Sequence, residues 1–464
     1  MKTFSVIYYS ALLTLFFLVG MNHGKAQSTP PTTKGWRMMK AIEKRIKPPA
    51  FPDRSFRITD FGAEADRNTD SKPAIMKAIT QCAAEGGGKV VVPAGAYGCN
   101  GAIHLLSNVN LHIEKGAIIK FGTNPSDYLP LVKVRWEGTI CYNYSPLVYA
   151  YQQKNIAVTG EGTLDGQTEG TWSLWKKDNE GKNQEATKPL IRKMGNDVVP
   201  ETQRRFGEGF YLRPSLVEFF ECENILLEGF TAKSSPFWTI HPVFCKNVTV
   251  RKLIIRQGTT NDDGIDPDSC ADVLIENCDI DTDDDPIALK AGRDQDAWQR
   301  GCCENIIVRN CTLRSDVGNA FCIGSEMSGG VQNVFVENCK VSSTDNGLNF
   351  KCNLDRGGFI QNIWIRNIEI SHCKRHTLLF QMDYHGYRGG NFAPDFQGFH
   401  LENITCEQGG KVGIRITGVA AKSIKAVNLR DINIKGAVQA TEIRFLEELK
   451  HHKVRVNGKL LTVK

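Results

Sequence analysis

The sequence predicts an all-β chain wound as a parallel β-helix, and three observations carry that prediction. One phrase, an Asn followed by alternating apolar positions, a short turn and a second alternating run, recurs at least eight times. Its later copies are spaced about 23–33 residues apart, a solenoid period. Between copies no run shows helical periodicity, and 43 glycines against 18 prolines fit many turns joining many short strands.

The first segment stands apart from that repeat. Lys2, the apolar run SVIYYSALLTLFFLVG and the small-x-small Gly24-Lys25-Ala26 read as a secretory signal peptide over residues 1–26, cleaved after Ala26. The apolar run is short for a membrane span, and no lipoprotein Cys follows it. The expected location is therefore secreted or periplasmic, with no membrane contact after cleavage. Residues 27–55 form an N-terminal extension.

The coil region spans 56–440. It opens with a strand, then a helix from about Pro73 to Ala84, with Pro at its start and Gly86 past its end. That helix is placed to cover the open edge of the first coil. The strand KVVVP follows, and then the repeats: NVNLHIEKGAIIKF from Asn108, NIAVTGEGTLDG from Asn155, NILLEGFTAKSS from Asn224 and NVTVRKLIIRQG from Asn247. DVLIENCDIDT from Asp272, NIIVRNCTLRSD from Asn305, NVFVENCKVSS from Asn333 and NIWIRNIEISHC from Asn362 continue the series. Asn suits the turn because it tolerates left-handed backbone. A β-sandwich of similar strand lengths would not repeat one phrase so often. Residues 441–464 read as a C-terminal cap, with His451-His452 as solvated tail.

Composition narrows the function classes. The chain has 464 residues, 41% hydrophobic and 23% charged, which excludes disorder, collagen and a multi-span membrane protein. A net charge of +6, scattered along the chain, gives no nucleic-acid stripe. Fifteen cysteines invite disulfides, but the count is odd, and Cys278, Cys311 and Cys339 each follow Asn in the repeat. They read as a buried stack of small thiols. Cys302-Cys303 is the best candidate for a disulfide or a reactive pair.

Aligning four successive units places Ile265, Ile287, Phe321 and Leu348 at one inward position. Two places earlier the column reads Asp263, Asp285, Asn319, Asn346, and three places earlier Asp262, Asp284, Gly318, Asp345. Three places later it reads Asp268, Lys290, Gly324, Lys351. Neighbouring strands lie about 4.8 Å apart, so Asp262, Asp263, Asp284 and Asp285 crowd onto one patch. Like charges that close repel and push their pKa values apart, giving a proton donor and a base. That is the equipment for hydrolysing a glycosidic bond. A solvated acidic turn and a calcium site built on Asp283, Asp284 and Asp285 are the competing readings. Lys290 and Lys351 argue against calcium and suit an anionic sugar. Asp281 and Asp283 read as surface residues of the same turn.

On these motifs the chain resembles glycoside hydrolase family 28, the polygalacturonases, from about Phe56 to about Asn433. Asn261-Asp262-Asp263-Gly264 is similar to the family's Asn-Thr-Asp-Gly motif, and Asp284-Asp285 to its Asp-Asp motif. Gly324-Ser325-Glu326-Met327-Ser328-Gly329-Gly330 is similar to a run common in bacterial members. The resemblance implies a right-handed helix of coils, a monomer acting on pectin with inversion, and no cofactor or metal. It implies Asp284 as general acid, with Asp263 and Asp285 positioning and deprotonating the water.

Two departures bear on substrate. Where the family's pectinases carry Gly-His-Gly, the stretch Asp316–Ala320 has no His. Where they carry Arg-Ile-Lys, this chain has Asn349-Phe350-Lys351, keeping only the Lys. Asn cannot grip a carboxylate as Arg does. The expected substrate is therefore an acidic oligosaccharide from rhamnogalacturonan or another decorated pectin, rather than plain polygalacturonan. Trp238 reads as an exposed sugar platform, and His241 as a structural hydrogen-bonder that also belongs to the substrate set. Lys290, Arg293, Lys351, Glu326, Asn319 and Asn349 complete that set. The long stretch 166–210, with Trp172, Trp175, Arg204 and Arg205, is placed to wall one end of the cleft and make the action exo. The rivals are a calcium-dependent pectate lyase and a carbohydrate-binding β-helix without catalysis.

Overall fold

The computed structural model describes residues 31–177 and 180–462. The expected signal peptide lies outside the described residues. The chain is a right-handed parallel β-helix: 27 strands join one continuous sheet, parallel except for its last pairing, and a second face begins as a four-stranded sheet. Each rung pairs with the next in register, so inward side chains stack into apolar ladders. One ladder runs from Phe56 through Val90, Val158, Ile275 and Val336 to Leu429. Stacking of this kind removes apolar area from water at every rung, about 1.5–3 kcal/mol for each fully buried large side chain.

The repeated Asn marks the turn where the chain enters each rung. Asn108, Asn155, Asn224, Asn247, Asn305, Asn333 and Asn362 all adopt positive φ, between 54° and 65°. Their amides bond from coil to coil: Asn155 donates to Asn108 at 3.0 Å, Asn224 to Asn155 at 2.9 Å and Asn247 to Asn224 at 2.8 Å. The ladder breaks where Asp272 replaces Asn, and there Arg45 of the N-terminal extension supplies the partner at 2.6 Å.

The cysteines form ladders of their own. Cys222, Cys245, Cys270 and Cys303 precede four paired strands, and Cys278, Cys311 and Cys339 stack on three. All fifteen are free thiols, Cys302 half-buried and the rest buried, so the Cys302-Cys303 pair holds no disulfide.

The helix over Lys72–Ala84 buries Ile75, Ala78, Ile79 and Cys82 in the main core. The sequence reading gave no element to the extension, yet Pro31–Glu43 is a helix (α1). Its Met39 and Ile42, with Ile46 beyond its end, cover an outward apolar stripe, Leu274, Ile307, Phe335 and Trp364, on four successive rungs. The fit is close: a Cβ on Gly35 would stand 2.3 Å from the Trp364 ring. At the other end the parallel ladder continues past residue 440 to a strand Leu449–Val456, and only Lys459–Leu460 turns back antiparallel. His451 and His452 lie exposed on that last rung. Among the described residues no helix is long and apolar enough to cross a membrane.

Candidate active site

The second face positions the site. The parallel bridges Ile265 to Ile287, Ile287 to Phe321 and Phe321 to Leu348 realise the inward column, and Asp268 pairs with Lys290. Asp263 and the Asp284-Asp285 pair therefore emerge on adjacent coils at one end of short strands. They line a pocket of ≈ 240 Å³ together with Lys290, Lys351, Arg293 and Glu326.

The three carboxyls are held differently. Asp263 and Asp285 are 3% and 1% exposed, whereas Asp284 keeps part of its surface open to the pocket. Lys290 donates to Asp263 at 2.9 Å, and Lys351 donates to Asp285 at 2.7 Å. Burial opposes the charge on Asp285, but Lys351 and Lys290 outweigh it and hold its pKa down at about 2. Burial and the charges of Asp263 and Asp285 push Asp284 well above the usual carboxylate range. For Asp263, burial and the Asp285 charge raise the carboxyl against Lys290. Asp284 receives Asn261 Nδ2 at 3.2 Å, and Arg213 orients that amide by donating to its Oδ1 at 3.0 Å. A carboxyl with a raised pKa, open to the pocket, thus sits beside one with a lowered pKa, the separation that acid–base chemistry requires.

Asp262, grouped with these three by sequence, does not join them. It is buried and accepts backbone N–H bonds from Gly258, Asp283 and Asp284, so it shapes the turn that carries Asp284. Gly318 packs beneath the same turn, where a Cβ would meet the Asp284 carbonyl carbon at 2.4 Å.

Other expectations need correction. Trp238 is only 4% exposed. It stacks on Phe237 at 5.1 Å, which stacks on Trp136 at 5.2 Å, and Lys290 Nζ lies 4.1 Å over its ring. It lines the pocket beneath Lys290 but is almost wholly buried, with Phe237 and Trp136 stacked behind it. His241 is fully buried under Trp238, 3.4 Å from Glu218 and 3.5 Å from Asp268. Burial opposes its charge, but those two carboxylates raise it to about 9. It has no route to a substrate. Asn319 and Asn349 are buried too, and their amides face Asp285 and one another rather than the cavity. Trp172 is fully buried, and Arg204 is buried on Asp296 at 2.7 Å. Neither walls the cleft.

The stretch 166–210 does reach the pocket, through residues the sequence reading passed over. It folds as helices Thr171–Lys177 (α2) and Gln184–Asn196 (α3), leaving aside the earlier capping helix in this numbering. Lys188 and Arg192, one turn apart on α3, line the cavity and pair with Glu137 at 3.1 and 2.9 Å. Arg356, Tyr384, His385, Asn261 and Ser325 complete the wall. Asn261 and Ser325 stand inside the motifs already singled out. Arg356, Tyr384 and His385 sit on loops after site-face strands, where nothing in the sequence marks them. Arg293 donates to Glu326 at 2.6 Å, and the cations around Glu326 hold it well below its ordinary value against burial. Six cations (Lys188, Arg192, Lys290, Arg293, Lys351, Arg356) face five carboxyls, of which Asp284 has its pKa raised, a cavity biased toward an anion.

The model described as glycosyl hydrolases family 28 matches residues 208–452, and one described as rhamnogalacturonase A/epimerase, pectate lyase-like, matches 55–118. The solved structure of a hyperthermoactive exopolygalacturonase from Thermotoga maritima is 37% identical, with a TM-score of 0.87 over 91% of this chain and 96% of that one. A probable polygalacturonase of Vitis vinifera is 25% identical over 450 residues, 94% of this chain and 83% of that protein. An exo-poly-alpha-D-galacturonosidase of Dickeya chrysanthemi is 26% identical over 410 residues, 79% of this chain and 65% of that protein.

Proposed function

The chain belongs to glycosyl hydrolase family 28, and from that premise we propose that it removes α-linked galacturonate from the ends of pectic chains. The observation that carries this is the neutral Asp284 opening, beside the ionised Asp285, into a small cation-rich pocket. Asp284 gives its proton to the glycosidic oxygen as the bond to the anomeric carbon breaks. Asp285, with Asp263, holds a water on the opposite face and takes its proton as the new C–O bond forms. The released sugar then has inverted configuration. The cation excess receives the substrate carboxylate.

Exo action is supported by α3, which brings Lys188 and Arg192, paired with Glu137, into the wall of the pocket that holds the three aspartates. The names of the Thermotoga and Dickeya relatives point the same way. A decorated or rhamnogalacturonan-derived oligosaccharide is the second reading. Asn349 favours it, since the residue standing where the family pattern has Arg is buried and offers no bidentate grip. Export through residues 1–26 and action as a monomer complete the proposal.

Product analysis tests it. Polygalacturonan and rhamnogalacturonan oligosaccharides are incubated with protein and chelator, and products are followed from the first minutes. Saturated monogalacturonate from the outset, released as the inverted anomer by proton NMR, is the expected result. Mid-length oligomers would sink the exo assignment, and unsaturated products the hydrolytic one. The preferred chain decides between the two substrate readings.

A further inference from the structure

We propose that Asn319 is a positioning residue that holds Asp285 as a carboxylate, with Asn346, Asn349 and the Cys322 thiol completing the arrangement. The proposal rests on the hydrolase reading in taking Asp285 as the base.

Asp285 is surrounded by donors. Its Oδ1 accepts the backbone N–H of Asn319 at 2.7 Å and the Nδ2 of the same residue at 2.6 Å. Its Oδ2 accepts Lys351 Nζ at 2.7 Å and the Cys322 thiol at 3.0 Å. Burial pushes the Cys322 thiol well up, which keeps its hydrogen available to donate.

The Asn319 amide has only one workable orientation. Its Oδ1 accepts Asn346 Nδ2 at 2.9 Å and Asn349 Nδ2 at 2.8 Å, so its NH2 must face Asp285. The two donors are fixed in turn: Asn346 Oδ1 meets His376 Nδ1 at 2.7 Å, and Asn349 Oδ1 accepts Gln381 Nε2 at 3.0 Å. The parallel register sets these residues on three successive coils, Asn319 opposite Asn346 and Asn346 opposite His376. A protonated Asp285 would aim its O–H at N–H groups that can only donate or at the Cys322 sulfur, a weak acceptor. The network therefore selects the anion, and hydrogen bonds to the charged form lower a carboxyl pKa. Asn319 lies in the stretch Asp316–Ala320, which has no His.

The charged and titratable groups around Asp285 are Lys351 and Lys290, the carboxyls of Asp263, Asp266 and Asp284, the Cys322 thiol and the Tyr384 phenol. The substitutions below alter only the neutral donors or the thiol.

The test reads Asp285 directly. Carbon NMR of aspartate labelled at the carboxyl is titrated in the parent, and the Asp285 signal is assigned by its loss in Asp285→Asn. In Asn319→Leu the proton affinity of Asp285 is expected to rise about tenfold or more, one pKa unit upward. Cys322→Ala shifts it upward by less, and Cys322→Ser, which restores a donor, returns it toward the parent. Asn346→Leu, which removes one of the two donors that fix the Asn319 amide, shifts it in the same direction by less and serves if Asn319→Leu does not fold. With substrate, the acidic limb of kcat/KM moves in step. A parent-like Asp285 titration in the folded variants would overturn the proposal. Because the titration uses no substrate, it separates failure of this positioning from failure of the hydrolase reading.

Discussion

Lys351 reaches Asp285 from two coils further along the helix, its Nζ 2.7 Å from the carboxylate. The intervening coil contributes Asn319 and Cys322, so the ammonium spans a whole rung to make the contact. Both groups are buried, and the ion pair is screened little by solvent. The same strand register that stacks Ile287, Phe321 and Leu348 inward thereby separates the protonation states of two consecutive aspartates.

Removing that charge without removing the stem tests its share. In Lys351→Met, burial acts on Asp285 with less opposition, and its pKa rises from about 2. Asp285 must be ionised to act, so the acidic limb of kcat/KM moves to higher pH. Activity at the optimum falls by about 10²-fold or more, the scale of a lost general base. Initial rates across the acidic range check both statements.

Asp284→Asn separates chemistry from stability. Loss of the proton donor costs about 10²–10⁴-fold in kcat, with far less loss on an aryl galacturonide whose leaving group needs no proton. Stability moves the other way. The folded-state pKa of Asp284 is raised, so the native protein holds a proton that the unfolded chain releases above about pH 4. Stability contributed by that proton is present below about pH 4 and is lost as pH rises through the raised value. The variant should therefore melt above the parent at neutral and alkaline pH, with the difference closing in acid. Calorimetric melts at several pH values decide it.

The fold was legible because a β-helix writes its architecture once per coil. The positive-φ Asn, the alternating apolar run and the stacked Cys each recur, and the in-register column from Ile265 to Leu348 follows from aligning them. The grouping of Asp263, Asp284 and Asp285 was legible for the same reason, as neighbours in that register. What the sequence hid lies off the repeat. Helix α1 carries apolar Met39 and Ile42, with Ile46 beyond its end, and Gly35, a poor helix former, is the residue that lets it approach Trp364. Trp238 looked like a platform because alternation cannot show how many aromatic layers will cover a ring. Lys188, Arg192 and Arg356 line the same cavity as the aspartates through tertiary packing, for which no local pattern exists.

Those insertion residues give a binding prediction. Arg192 is partly open to solvent and shares Glu137 with Lys188, so neither is a rigid support for the aspartates. Arg192→Ala is expected to raise KM about tenfold while kcat changes less than threefold, the signature of lost uniform binding. The double variant Lys188→Ala/Arg192→Ala should also release some oligomers longer than one residue, as the closed end of the cavity opens. Steady-state kinetics and chromatography of the products read both, and an unchanged KM would place the substrate carboxylate elsewhere.

Gly318 offers the sharpest test of how closely the acid is positioned. A methyl group there would stand 2.4 Å from the Asp284 carbonyl carbon and 2.7 Å from the Asp285 nitrogen. Both are backbone atoms, so no side chain can swing aside, and the turn carrying the two carboxyls must move. Overpacking of this kind costs about 1–3 kcal/mol of stability. The catalytic effect should be larger in proportion, because a displacement of about 1 Å at reacting groups costs on the order of 10²-fold in rate. Gly318→Ala is expected to remain folded, with a lower melting temperature, a KM within about threefold of the parent and a kcat reduced about 10²-fold. A variant that loses stability but keeps its kcat would show that the aspartates tolerate movement of their turn, and that their placement depends on the lysines and amides above them instead.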